Sequence, residues 1–331
     1  MKNLPILTLT VSCVLTAGYA WNTILTAQES PPVKATQPPP PTAASQSDAP
    51  QGPKTAAGSP VRSAAVELRR NEKSGASAVV TLETARDRLT AYRTVKAEIV
   101  ETVVLEPRRF RMKGTYLQGT DLKLRLEYVV QVGGTKASLV EVCDGQILWT
   151  WHRIGAVQRV TRRNVRQILN ARESNGRTDH NTLITELGLG GLPGLLASIQ
   201  QSVRLDKQWE QSAGDRTLIV VEGVWKDSFR NRVVPDATPD QDLPPWVPDR
   251  IRVYFEHDSL FPRRILYLKR DLAKVHHPMV TLDFSEVEWN GDVDNEKFTF
   301  IPPPKVVAED VTQAYIKQFL QEQPIKATPA N

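Results

Sequence analysis

Cysteine is scarce in this chain of 331 residues: there are two, Cys13 and Cys143. Cys13 falls in an apolar N-terminal run. With that run set aside one thiol remains, which excludes an internal disulfide and any cysteine-based metal site. Histidine is also scarce, at five residues. The adjacent pair His276-His277 would point to opposite faces of a strand, where the two cannot share an ion. An excess of one charge is lacking as well. The net charge is +5, and without Lys2, Lys34, Lys54, Arg62, Glu29 and Asp48 of the first 62 residues it is +3. So balanced a chain gives no argument for nucleic acid. No Gly-x-Ser-x-Gly nucleophile motif occurs, and Gly188-Leu-Gly-Gly-Leu-Pro-Gly194 is no phosphate loop, because no Lys-Ser/Thr follows it. Asp283, Glu286 and Glu288 read as a solvated strand face, since Asp283 and Glu286 fall on opposite sides. No catalytic residue, metal ligand or cofactor is assigned, and the chain is not expected to be an enzyme.

What is present begins with Lys2 and an uncharged run from Asn3 to Gln28. One basic residue, an apolar core and the small residues Gly18 and Ala20 are the parts of a secretory signal. Residues 1–27 are therefore read as a signal peptide, cleaved after Ala20 or Ala27, or as an N-terminal anchor, the run being long enough to span roughly 30 Å of hydrocarbon. Residues 28–62 hold Pro38 to Pro41 among Ser, Thr, Ala and Gln, with no aromatic side chain. Such a segment cannot bury enough apolar surface to offset its ordering entropy, and is expected to be a disordered, semi-stiff linker. A folded domain is expected over 63–331.

Within that domain, Val79, Leu82, Ala85 and Leu89 recur at helical spacing over 76–91. The period then changes to two. Val95, Ala97, Ile99 and Val103 share one strand face, 110–117 is a second strand, and Leu122, Leu124, Leu126 and Tyr128 alternate with charged residues in a third. Asp144-Gly145 joins strands 138–143 and 146–151 in a hairpin, and 157–161 follows. Short helices are predicted around Val165, Ile168 and Leu169 and after Pro193. Further strands are expected at 204–209, 216–225, 250–256, 262–269 and 279–289, with a last helix over 312–321. The five-proline loop Val233 to Pro248 reads as an exposed excursion. The pattern is α+β, dominated by one large curved antiparallel sheet.

The closing stretch Trp289-Asn-Gly-Asp-Val-Asp-Asn-Glu-Lys-Phe-Thr-Phe-Ile-Pro-Pro-Pro304 is similar to the ending of the LolA family of periplasmic lipoprotein carriers. Asp144-Gly-Gln-Ile-Leu-Trp149 resembles that family's Asp-Gly-x-x-Leu-Trp hairpin, and Gly114-Thr-Tyr-Leu117 with Leu122 to Leu126 resembles its paired strands. The resemblance covers roughly residues 78–312 in blocks, and the terminal block is the most specific. It implies an unclosed β-barrel of about eleven strands, plugged by helices, whose apolar inner face takes up acyl chains of lipoproteins or other lipids. It also implies a periplasmic monomer passing cargo between an inner-membrane donor and an outer-membrane acceptor. The related RseB proteins share the half-barrel, and a lipid or lipoprotein sensor acting on a membrane partner is the alternative. In one place the chain departs from the family. LolA proteins have an Arg-Pro before the third strand, and its Arg bonds to the lid. Here Gln118-Gly-Thr-Asp121 stands instead, so no gating residue is carried over.

On this reading the candidate lipid-binding residues are Leu122, Leu124, Leu126, Tyr128, Trp149 and Trp151 on strands, with Leu195, Leu196 and Ile199 on the helix after Pro193. That helix is either a lid hinged at its glycines or a simple helix start. Leu124 and Leu126 share a face, as do Trp149 and Trp151, and which face looks inward is open. Arg159, Arg162, Arg163 and Arg166 lie in a stretch without acids between Asp144 and Glu173. They are candidates for contact with anionic lipid headgroups or an acidic partner, or else form a solvated face paired with distant acids. The N-terminal reading is open to a direct check. Residues 1–62 fused to a reporter that is active only outside the cytoplasm are expected to give activity, and a well-expressed but silent fusion would refute export.

Overall fold

Alternating apolar and charged residues leave a strand with one face to hide, and this chain hides it by laying strand beside strand. The computed structural model describes residues 73–105, 108–132, 134–173, 190–234 and 242–321; the N-terminal run and the proline-rich linker lie outside them. The chain runs β1 (Lys73–Ser74), α1 (Gly75–Ala91), β2 (Val95–Leu105), β3 (Arg108–Gln118), β4 (Lys123–Val132), β5 (Thr135–Asp144), β6 (Ile147–Ile154), β7 (Val157–Asn164) and α2 (Val165–Glu173). It continues with α3 (Gly191–Ser202), β8 (Val203–Ala213), β9 (Arg216–Trp225), α4 (Asp227–Val233), β10 (Arg250–Glu256), β11 (Pro262–Arg270) and β12 (His276–Trp289). A single 3-10 turn, Asn295–Phe298, then leads to β13 (Ala308–Asp310) and α5 (Thr312–Gln321).

All the strands join one sheet in the order β1-β8-β9-β10-β11-β12-β2-β3-β4-β5-β6-β7-β13. Eleven are long, and the two short ones, β1 and β13, are its outermost members. The sheet is curved and not closed by hydrogen bonds. The α+β half-barrel expected from the sequence is thus observed. Every pairing is antiparallel except that of β13 with β7, which is parallel. Asp144 Oδ1 accepts from the Gln146 and Ile147 amides at 2.7 and 2.8 Å, and Gly145 takes φ +98 in the predicted hairpin.

One face, the inner one, carries the helices. α1 buries Ala78, Leu82, Ala85 and Leu89, and α3 buries Leu192, Leu195, Leu196 and Ile199, in the same core as the inner residues of β2 to β5. Arg86 and Glu83 of α1 bracket the Gln200 side chain of α3, with contacts of 2.8 and 2.6 Å. The loop before β10 departs from expectation. Leu243 and Val247 are buried in it, and the Lys269 ammonium donates to the carbonyls of Leu243, Pro244 and Val247 at 2.9 to 3.1 Å. The described part of this proline-rich loop is therefore tied down, because one lysine satisfies carbonyls that proline-rich backbone cannot pair in a ladder.

The outer face is covered where β4 to β7 lie. After β12 the chain crosses it as a strap: Arg125 donates to the Lys297 carbonyl at 2.9 Å, Phe298 is buried, and Phe300 packs on Trp149 and Trp151. This strap is the stretch that carries the terminal block of the sequence resemblance. Farther round, the outer side chains Trp209, Val220, Tyr254, Leu266 and Leu268 form a second apolar cluster, with the Arg252 guanidinium 5.3 Å from the Trp209 ring centroid.

Gly114 marks a close approach at the middle of β3. A Cβ there would meet the Glu127 carbonyl oxygen at 1.9 Å and the Tyr128 ring at 2.9 Å. Gly114→Val is expected to cost roughly 1–3 kcal/mol, the range for overpacked cores. A fall in denaturant midpoint at unchanged m-value would show it.

Candidate functional site

The cross-strand register sorts the candidate residues by face. Leu124 opposes Cys143, Leu126 opposes Glu141 and Tyr128 opposes Leu139, so these three share the inner face with β5 residues of the same core. Leu124 and Tyr128 are buried, and Leu126 is partly so. Leu122 falls in the turn before β4, at φ +66, and packs against the core from there. Leu195, Leu196 and Ile199 are buried on α3 and face the same core.

Trp149 and Trp151 are not with them. Trp149 opposes Val142 and Trp151 opposes Val140, one residue out of phase with the inner set. Both lie on the outer face, where Phe300 of the strap stands 5.7 and 6.4 Å from their rings. These two residues are structural partners of the strap and do not line the inner wall. The hairpin residue that does is Leu148, fully buried opposite Cys143.

The arginines also divide. Arg159 pairs with Glu309 at 2.7 Å and Arg162 with Asp310 at 3.2 Å, acids that β13 brings alongside β7. Arg163 is 8% exposed, bonds the Tyr315 hydroxyl at 2.7 Å and lies over that ring. The Arg166 guanidinium donates to the Gly145 carbonyl at 2.8 Å. A common membrane-facing cluster is therefore not what the fold makes of them. Burying Arg163 and pairing its neighbours uses this charge to attach β13 and α5 to the sheet edge.

Polar groups the sequence reading passed over lie on the inner wall. Glu101 occupies the gap in the β2 pattern between Ile99 and Val103, and it is fully buried. Burial pushes its carboxyl from the usual range up to about 8, and the nearby Tyr128 hydroxyl opposes this only in part. Glu101 is thus protonated and neutral near pH 7. Glu141, 2% exposed, accepts from the Thr150 hydroxyl at 3.1 Å. Burial, with Arg159 and Arg163 nearby, lowers His152 to about 4, and burial pushes the Cys143 thiol up to about 11. Neutral imidazole, neutral carboxyl and inert thiol keep most of the wall uncharged. Among the described residues no group of His, Cys, Asp and Glu could hold a metal ion, and His277 instead meets Asp271 at 2.8 Å. Asp283 is paired with Arg264 and Glu288 with Lys96.

Helix α3 is held to this wall by its first turn. The Leu192 amide donates to the Tyr116 hydroxyl at 2.9 Å, and Tyr116 in turn bonds Gln118. Gly191, at φ +51, makes room: a Cβ there would stand 2.3 Å from the Tyr116 oxygen and 2.7 Å from Gln118 Oε1. Gln118 accepts from the Tyr116 hydroxyl and so fixes the group that holds the helix entry. The described part of the glycine run is therefore a close-packed helix entry.

Solved structures with a matching fold include LprF from Mycobacterium bovis, at 12% identity and a TM-score of 0.37 over 70% of this chain and 98% of that one. A LolA superfamily protein from Nitrosomonas europaea matches at 10% identity and a TM-score of 0.26 over 69% and 98%. MucB, in its complex with MucA from Pseudomonas aeruginosa, matches at 9% identity and 0.34 over 68% and 61%. Likeness of this degree carries no argument about ligand or activity. No family model matches the sequence, and no curated protein matches it. Among the described residues no helix is long and apolar enough to cross a membrane.

Glu101 makes stability depend on pH in a defined direction. Its folded pKa, about 8, lies above the unfolded value of 4.5, so the folded state holds the extra proton. The contribution is full below pH 4.5 and is lost as pH rises to 8, a change on the order of a few kcal/mol. Glu101→Gln is expected to abolish that slope. Chemical unfolding of both proteins from pH 5 to 9 measures it, and parallel curves would disprove the assignment.

Proposed function

We propose that the protein is a non-enzymatic carrier that holds an acyl chain of a lipoprotein or another lipid on the inner face of its open sheet, in the space that α3 now fills. The observation that carries this reading is the inserted helix itself. Leu195, Leu196 and Ile199 lie against a wall of Leu124, Tyr128 and their neighbours, and the hydrogen bond from the Leu192 amide to Tyr116 holds the helix entry there. An acyl chain of about twelve methylenes offers roughly 10 kcal/mol on burial, and three aliphatic side chains hold roughly 5–9 kcal/mol. The exchange of helix for chain is therefore near balance, as a carrier that must also release its cargo requires.

Export to the periplasm belongs to the same reading and rests on the N-terminal run. Residues 1–27 act as leader or anchor, 28–62 as tether, and the domain from 63 onward as the binding unit. A donor in the inner membrane and an acceptor in the outer one are the partners this implies.

The full chain is expected to take up a fluorescent fatty-acid analogue saturably, and native mass spectrometry after gentle purification to show a co-purified lipid or acylated peptide. Tyr116→Phe removes a bond worth about 0.5–1.5 kcal/mol and should raise apparent affinity or uptake rate roughly two- to tenfold. Uptake by neither protein would refute the carrier. Equal uptake by both would refute the latch alone.

A further inference from the structure

The two ends of the sheet differ in charge and in exposed apolar surface. At one end lie the β4–β5, β6–β7 and β11–β12 turns, the start of β3 and the loop that enters β10. Here Leu272 stands fully exposed at the tip of the β11–β12 turn, Val275 is 51% exposed beside it, and Trp246 is 50% exposed on the loop. Arg270 ties loop to turn through Asp242 at 2.6 Å. Farther round, Val157 and Val307, 74% and 91% exposed, share a cleft between the β6–β7 turn and the segment before β13. Exposed cations stand among them, Arg108, Arg109, Lys136, Arg153 and Lys274, and outnumber the exposed acids of these turns and loop, Asp242 and Asp271, which meet Arg270 and His277. At the opposite end the turns present Asp121, Asp144, Asp215 and Asp258, all exposed, the start of the strap adds Asp292 and Asp294, and the exposed cations among them, Arg88, Arg93 and Arg216, are fewer.

We infer that the basic, apolar end docks on a bilayer surface containing anionic lipid, with the acidic end directed away from it. Monomeric proteins seldom gather exposed Leu, Val and Trp side chains in one region without a contact to cover them. Tryptophan, isolated aliphatic tips and lysine or arginine are together the chemistry of the interface between headgroups and acyl chains. The cations draw this end toward anionic headgroups within a Debye length, and Leu272 enters once it is near. The acids of the far end are repelled, which sets the orientation. The contact stands apart from the arginines of β7, which are paired or buried, and does not depend on the acyl-chain reading.

The test is co-sedimentation of the full chain with phosphatidylcholine vesicles, with and without phosphatidylglycerol. The protein is expected to bind only the anionic vesicles and to lose binding as salt rises. Leu272→Asp combined with Lys274→Gln, both at a solvent-exposed turn, should lower the partition coefficient at least tenfold, with about fivefold from the lost cation. Asp215→Asn at the far end should leave it unchanged. An unaltered thermal transition would show that the double variant folds. Wild-type binding to neither vesicle, equal binding to both, or equal partition of wild type and double variant would each overturn the inference, including the case in which this end serves an acidic protein.

Discussion

An open sheet of this width has an inner face that its own side chains cannot cover, and the rest of the structure depends on how that face is kept from water. A closed barrel of fewer strands would pack side chain to side chain across its interior. Here helices do it instead. α1 and α3 bring Leu82, Leu89, Leu196 and Ile199 into the space, and the Tyr116 hydroxyl anchors the first turn of α3 where an unsatisfied amide would otherwise face the wall. Because the filling is a helix held by its own packing and one anchoring bond, it is separable from the wall in a way that interdigitated strand residues are not.

The same wall contains groups that a simple apolar lining would not need. Glu101 and Glu141 lie in the interior at a cost that burial of carboxyls always carries. Glu101 meets it by staying protonated, and Glu141 by the Thr150 hydroxyl. A neutral carboxyl can donate or accept a hydrogen bond, so the interior is uncharged in part without being featureless.

Much of this was legible beforehand, and the losses have physical reasons. Period-two alternation located all eleven long strands, and Asp-Gly marked the β5–β6 hairpin, because both signals are local. The face a strand presents is not local. Trp149 and Trp151 have the size of core residues, yet the register with Val142 and Val140 turns them outward, under a strap whose Phe300 lies about 150 residues away in sequence. The acid-free arginine stretch was visible. Its partners Glu309 and Asp310 were not, since only the parallel pairing of β13 with β7 places them there. Glu101 could have been found, because it sits in phase with Val95, Ala97, Ile99 and Val103. The alternation that finds a buried face also names the charged residue interrupting it.

The strap sets an order on how the chain can mature. Val142 and Val160 of the outer face are fully buried, and Val160 is flanked by a strand that begins at Ala308. The Arg159–Glu309 pair alone spans 150 residues. At roughly 5–20 residues per second, synthesis leaves that flank bare for about 7 to 30 seconds after β7 has emerged. Strand β7 is meanwhile an unpaired edge beside exposed valines and tryptophans, the arrangement that invites pairing with another chain. The arginines of β7 then have a second use before any partner arrives: a strand edge with Arg159, Arg162 and Arg163 and no acid repels its own copies. The charge that finally bonds the strap also guards the edge during the wait.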